Sequence, residues 1–99
     1  MKTTEVMPEL TPESRVRAAS SVYARPFGEE IVLLDFGRGE YFALDAIGAE
    51  VWRGIEQGKP LGTIAKGLAL GYEVGEEKAY EDVVVLVRDM RSRSLVEMG

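Results

Sequence analysis

The side chains of this chain that could do chemistry are carboxylates, hydroxyls, lysines and arginines; His and Cys are both absent. The usual general base near neutral pH and the commonest metal ligand are therefore missing. Structural zinc is excluded, since it needs Cys or His, and so are disulfides and thiol chemistry. Carboxylates pair up in sequence at Glu29-Glu30, Glu76-Glu77 and Glu81-Asp82. A carboxylate site for magnesium or calcium stays open, but neighbours on a helix point about 100° apart and do not converge on one substrate. These pairs read as solvated helix starts and turns. The Gly-rich runs at Gly37-Arg38-Gly39 and between Leu61 and Gly71 match neither phosphate-cradling pattern and lack its strand–loop–helix setting. No nucleophile–base pair can be assembled from this inventory without invoking Lys or carboxylates in positions that nothing supports. Catalysis is not expected.

What remains is chemistry of recognition. Arg88, Arg91 and Arg93 close a basic segment. They read either as solvated partners of a helix C-terminus or as a docking point for a carboxylate of a bound peptide. Trp52 reads as a core anchor rather than a ligand platform. The formal net charge of −5 argues against nucleic acid, whose phosphates call for a basic face; a partner segment with some positive charge suits it better. With 45% apolar and 29% charged residues, the composition is that of a soluble globular domain. The longest apolar run, Val83 to Val87, is far too short to span a bilayer. The opening MKTTEVMPEL has no apolar signal core, so no membrane association and a cytoplasmic location are expected.

The elements that must position these groups centre on Ile31 to Leu44, IVLLDFGRGEYFAL. Two apolar runs around a Gly-containing turn predict a β-hairpin, with Gly37 and Gly39 free to take positive φ. Strand alternation puts Phe42 and Leu44 on one face, Tyr41 and Ala43 on the other. Residues 1–14, with Pro8 and Pro12 and no period, read as a flexible N-terminal arm ahead of a single domain over 15–99. Val16 to Ala24 is a strand candidate ended by Pro26 and Gly28.

After the hairpin, Asp45 reads as an N-cap for a helix over Ala46 to Gln57, with Ile47, Val51, Trp52 and Ile55 on one stripe. Gly58 closes it. Pro60 opens a second short helix carrying Leu61, Ile64, Ala65 and Leu68, which Gly71 ends. Gly75 precedes a third helix over Glu76 to about Arg93. Its core stripe is expected at Ala79, Val83, Leu86 and Met90, with a second line at Tyr80, Val84, Val87 and Arg91. A buried strand over Val83 to Val87 is the alternative, disfavoured because helical spacing continues on both sides. Leu95-Val96 is expected to pack back as an extended tail. The result is an α+β domain like a winged helix-turn-helix: a three-stranded antiparallel sheet followed by three helices.

The run LLDFGRGEYFALDAIGAEVWRGIEQGKPLGTIAKGL, then YEV, then EDVVVLVRDMRSRSLVE, resembles the PqqD-like family, the leader-peptide recognition elements of ribosomally made, modified peptides. The features that carry it are Leu33 to Gly39, Tyr41 to Asp45, Val51-Trp52, Ile64-Ala65, Asp82-Val83 and Leu95-Val96. The family usually has Gly where this chain has Ser94. Within it the tyrosine-containing strand is most similar to the stand-alone proteins of lasso-peptide clusters.

The resemblance implies binding without a cofactor: a precursor's leader peptide joins the third strand in a groove against the third helix. It is then presented to a leader-cleaving cysteine protease and a ring-closing ATP-dependent cyclase. The residues agree with such a role. Glu40, Tyr41, Phe42, Ala43 and Leu44 offer an open edge, Tyr80, Val84 and Val87 a wall, and Arg88 and Arg91 a way to fix register. For Tyr41 and Phe42, ordinary sheet packing is the alternative to a role in binding, weighing as much as binding for Phe42 and less for Tyr41. The alternatives are a winged-helix DNA-binding regulator, whose recognition helix would carry only Lys66, and a small enzyme.

Overall fold

The computed structural model describes residues 9–99. The chain runs β1 (Val16–Ala18), β2 (Val22–Phe27), β3 (Glu30–Asp35), β4 (Glu40–Leu44), α1 (Ala46–Glu56), α2 (Leu61–Tyr72), α3 (Glu76–Ser92) and β5 (Val96–Met98). The main sheet is antiparallel in the order β2-β3-β4, with Ile31 opposite Leu44 and Asp35 opposite Glu40. Three helices follow it, so the α+β architecture read from the sequence is the one observed. β1 and β5 form a separate two-stranded ribbon, Val16 opposite Met98 and Ala18 opposite Val96.

The core lies where the helices cover the inner face of the sheet. Leu33, Val51, Trp52, Leu61, Val83, Val87 and Met90 are its largest fully buried side chains. Fully burying one such side chain stabilises by roughly 1.5–3 kcal/mol, which is why the β-branched run of α3 is helical despite its mediocre propensity. The strand alternative for that run is not what forms.

The structure departs from the sequence reading in several places. Val16 to Ala24 is not one strand: β1 leaves to pair with the C-terminal tail, and β2 starts afresh at Val22 and continues through Pro26 to Phe27. Pro26 is tolerated because β2 has a partner on one side only. Helix α2 passes through Gly71 and stops at Glu73, which takes a left-handed conformation at φ 56°. Pro60 precedes α2 as its cap residue rather than opening the helix. Ile47 leaves the apolar stripe of α1 and is 45% exposed.

Of the arm expected over residues 1–14, the first eight lie outside the described residues. The remainder is docked. Leu10 is buried in the core, Gly62 N donates to the Pro12 carbonyl, and Leu61 N donates to that of Ser14. Those two bonds satisfy amides of α2 that its own first turn leaves unpaired.

Candidate functional site

The position of β4 is set by its two ends. At the start, Asp35 is the one polar residue buried among the described residues, 3% exposed. Its Oδ1 accepts from Ser21 Oγ at 2.9 Å, Gly37 N at 3.0 Å and Arg38 N at 3.3 Å. A single carboxylate oxygen thus ties the β3–β4 turn to the residue before β2. Gly39 takes φ +69° and donates to the Asp35 carbonyl. Gly37 does not need positive φ; it is small because a Cβ there would sit 3.3 Å from Ser21 Oγ and 3.4 Å from Asp35 Oδ1. At the other end, Asp45 Oδ1 accepts from Gly48 N at 2.8 Å, the N-cap expected from the sequence. α1 therefore begins as soon as β4 ends, and a Cβ at Gly48 would lie 3.1 Å from Leu44.

β4 pairs with β3 alone, and among the described residues no strand covers its outer edge. The C-terminal tail, which could have capped it, is committed to β1. In an antiparallel ladder alternate residues turn their N–H and C=O groups away from the neighbour, so β4 presents unpaired backbone groups. Beside this edge, between β4 and α3, is a hollow of about 390 Å³. Phe42, Leu44, Ile47 and Leu86 give it an apolar lining, which Asp45 and Asp82 share. At the turn end of β4, the Arg93 guanidinium lies 4.8 Å from the centre of the Phe42 ring. Arg93 also pairs with Asp89 at 3.2 Å, and Arg38 Nη1 donates to the Arg93 carbonyl at 3.2 Å.

Helix phase decides which residues of α3 reach this groove. Around the buried line Ala79, Val83, Val87 and Met90, about 100° per residue puts Asp82, Leu86, Asp89 and Arg93 on one flank. Tyr80, Val84 and Arg91 fall on the other. Contacts agree: Leu86 and Asp82 line the hollow and Arg93 covers Phe42. On the opposite flank the Tyr80 hydroxyl donates to the Leu10 carbonyl at 3.4 Å, and Arg91 Nη1 lies 3.4 Å from Met98 Sδ on β5.

The residues read from the sequence as a wall and a register point do not line the hollow beside β4. Val87 is 0% exposed and belongs to the core. Tyr80 and Val84 are half-buried on the flank away from β4. Arg88 is exposed beyond that flank, so neither it nor Arg91 stands by the edge. Leu86, Asp82 and Ile47 line that hollow instead, and Arg93 lies over Phe42. Leu86 was expected in the core stripe; its exchange with Val87 is one step of helix rotation.

Residues of β4 itself are where alternation put them. Phe42 is half-buried and Leu44 3% exposed toward the core; Tyr41 is 75% exposed on the outer face, opposite Leu34. Glu40 and Ala43 are exposed. Burial pushes the Tyr80 hydroxyl pKa up, and Glu13 and Glu9 add to this while Arg88 opposes it. Among the described residues no group of three or more acidic side chains could hold a metal ion, and no helix is long and apolar enough to cross a membrane.

Fold and site together define a small winged-helix-like α+β domain in which, among the described residues, the outer edge of β4 is unpaired beside a helix-lined apolar groove. The chain belongs to the PqqD family: the family profile of coenzyme PQQ synthesis protein D matches residues 30–96, more than half of its length. Two solved structures share the fold. One, TbiB1 in complex with the TbiA(beta) leader peptide, is 28% identical with a TM-score of 0.79, over 82% of this chain and 94% of the other. The second, a lasso peptide synthetase B1 complexed with the leader peptide, is 24% identical with a TM-score of 0.79, over 84% and 98%. No curated protein matches the chain.

Proposed function

We propose that this protein is a non-catalytic binding module that captures the leader segment of a ribosomally made precursor peptide. The leader adds as a strand to the outer edge of β4, with its side chains in the hollow against α3. The module presents it to the leader-cleaving cysteine protease and the ATP-dependent cyclase of a lasso-type pathway. The observation that carries this reading is the free edge of β4 lying directly beside an apolar hollow. Backbone pairing supplies affinity and the hollow supplies selection. The resemblance at 28% identity to TbiB1, a protein seen with a leader peptide, supports it. Duplex DNA is disfavoured, since α2 carries Lys66 as its sole cation and the net charge is −5.

A disordered leader loses conformational entropy on docking, so a few buried anchors should dominate its affinity. Calorimetric titration with the precursor leader tests this directly. Leu86→Glu places a charge in the hollow and is expected to weaken binding at least about tenfold. Arg88→Glu, on the far flank of α3, should leave it within about twofold. Full affinity in Leu86→Glu, with an intact far-UV spectrum, would refute the groove.

A further inference from the structure

Charge is ordered along the groove. Asp82 and Leu86 lie by Leu44 and Ile47, whereas Arg93 lies over Phe42 with Arg38 bonded to its carbonyl. β4 and the last turns of α3 therefore run in opposite directions, with two arginines at the turn end and two aspartates, Asp45 and Asp82, at the α1 end. Some of these already have partners in the chain: Asp82 with Lys78 at 3.1 Å and Arg93 with Asp89 at 3.2 Å. Glu40 also stands near the arginine end. In both pairs the side chains are 44–67% exposed, so the pairs contribute little and are readily exchanged for a guest's charge. Arg38 and Asp45 form no ion pair among the described residues.

The separation of the two ends sets a spacing. Eleven helical steps from Asp82 to Arg93 span about 16 Å, and three strand steps from Phe42 to Asp45 span about 10 Å. An extended guest advancing about 3.4 Å per residue covers that range in about three to five residues, and only an even step returns side chains to the same face. Four residues fits.

Resting on the strand-capture reading above, we propose that the groove reads the charge order of its guest. A Lys or Arg of the leader, which runs antiparallel to β4, sits beside Asp45 and Asp82. An Asp or Glu four residues away sits beside Arg38 and Arg93, and an aliphatic side chain midway between them fills the Leu44–Ile47–Leu86 hollow. Backbone pairing at a sheet edge is indifferent to side chains, so it leaves register loose. Charges of opposite sign at the two ends leave a slipped guest's charges unpaired and make a reversed arrangement repulsive.

The test uses the full chain and 12-residue host peptides with the central pattern Lys-Thr-Leu-Thr-Glu. In a second peptide Lys and Glu are exchanged, and in a third they are three residues apart. By fluorescence anisotropy at low salt, the first peptide should bind about five- to tenfold tighter than the others. The gap should narrow as salt is raised, and D82K should erase it. Equal affinities for the matched and exchanged peptides, with both still weakened by L86E, would overturn the charge-order inference and leave strand capture standing. No binding by any host peptide, together with none by the precursor leader, would remove both.

Discussion

Replacing Asp35 with alanine should be among the most damaging single changes outside the apolar core. The carboxylate is 3% exposed, and one of its oxygens accepts from Ser21 Oγ, Gly37 N and Arg38 N. Alanine strands all three donors. A buried donor left unsatisfied costs about 1–3 kcal/mol, and here the exposed turn lets water reach some of them, so about 1 kcal/mol each is the better figure. The expected loss is about 3 kcal/mol, a large share of the roughly 5–15 kcal/mol available to a domain of this size. In melting temperature that is a fall of about 12–24 °C. Urea unfolding followed by circular dichroism measures it. A Ser21→Ala/Asp35→Ala cycle should show a coupling of about 1 kcal/mol, since both changes remove the same bond. A loss below about 1 kcal/mol for Asp35→Ala would mean that the turn, and with it the placement of β4, does not depend on this carboxylate.

Other outcomes follow from single contacts. Gly54→Ala would put a Cβ 2.6 Å from Ile64 Cγ1 where α1 crosses α2; despite better helix propensity, a net loss of about 1–2 kcal/mol is expected. Combining it with Ile64→Ala should cost less than the sum of the two single changes, as chemical denaturation will show. Ser94, at φ 61°, occupies a left-handed conformation that disfavours side chains, so Ser94→Gly should stabilise by about 0.5–1 kcal/mol in the same assay. Tyr80 has a pKa raised in the folded state by burial, then by Glu13 and Glu9. Its contribution to stability is full below about pH 10, the unfolded value, and falls as pH rises through the folded one. Ultraviolet titration should find this phenol ionising later than in urea, and Tyr80→Phe should lessen the alkaline loss of stability.

The sequence alone determined a good deal. Period-two alternation put Phe42 and Leu44 on one face of β4 and Tyr41 and Ala43 on the other, because a strand's faces follow from residue spacing whatever packs against them. Asp45 and Gly75 were legible as helix boundaries for a similarly local reason: a cap is a bond or a dihedral between near neighbours. The absence of His and Cys limited the chemistry before any fold was known. What resisted reading was everything set by distant segments. The pairing of β1 with β5, which splits the first strand candidate, joins residues some eighty apart. The role of Asp35 needed Ser21, fourteen residues away, to be seen. The docking of residues 10–14 depended on where α2 begins.

The groove wall shows the division most clearly. Two partly apolar lines flank the core stripe of α3, one through Tyr80 and Val84, the other through Asp82 and Leu86. A hydrophobic pattern specifies that a helix has a buried stripe, but a rotation of one residue step changes which flank meets the sheet. Only the packing of α3 on α2 and the sheet, with Val87 wholly enclosed, settled that Leu86 and Arg93 rather than Tyr80 and Val84 stand beside β4. Local spacing fixes the faces of an element, and tertiary contact fixes what each face meets.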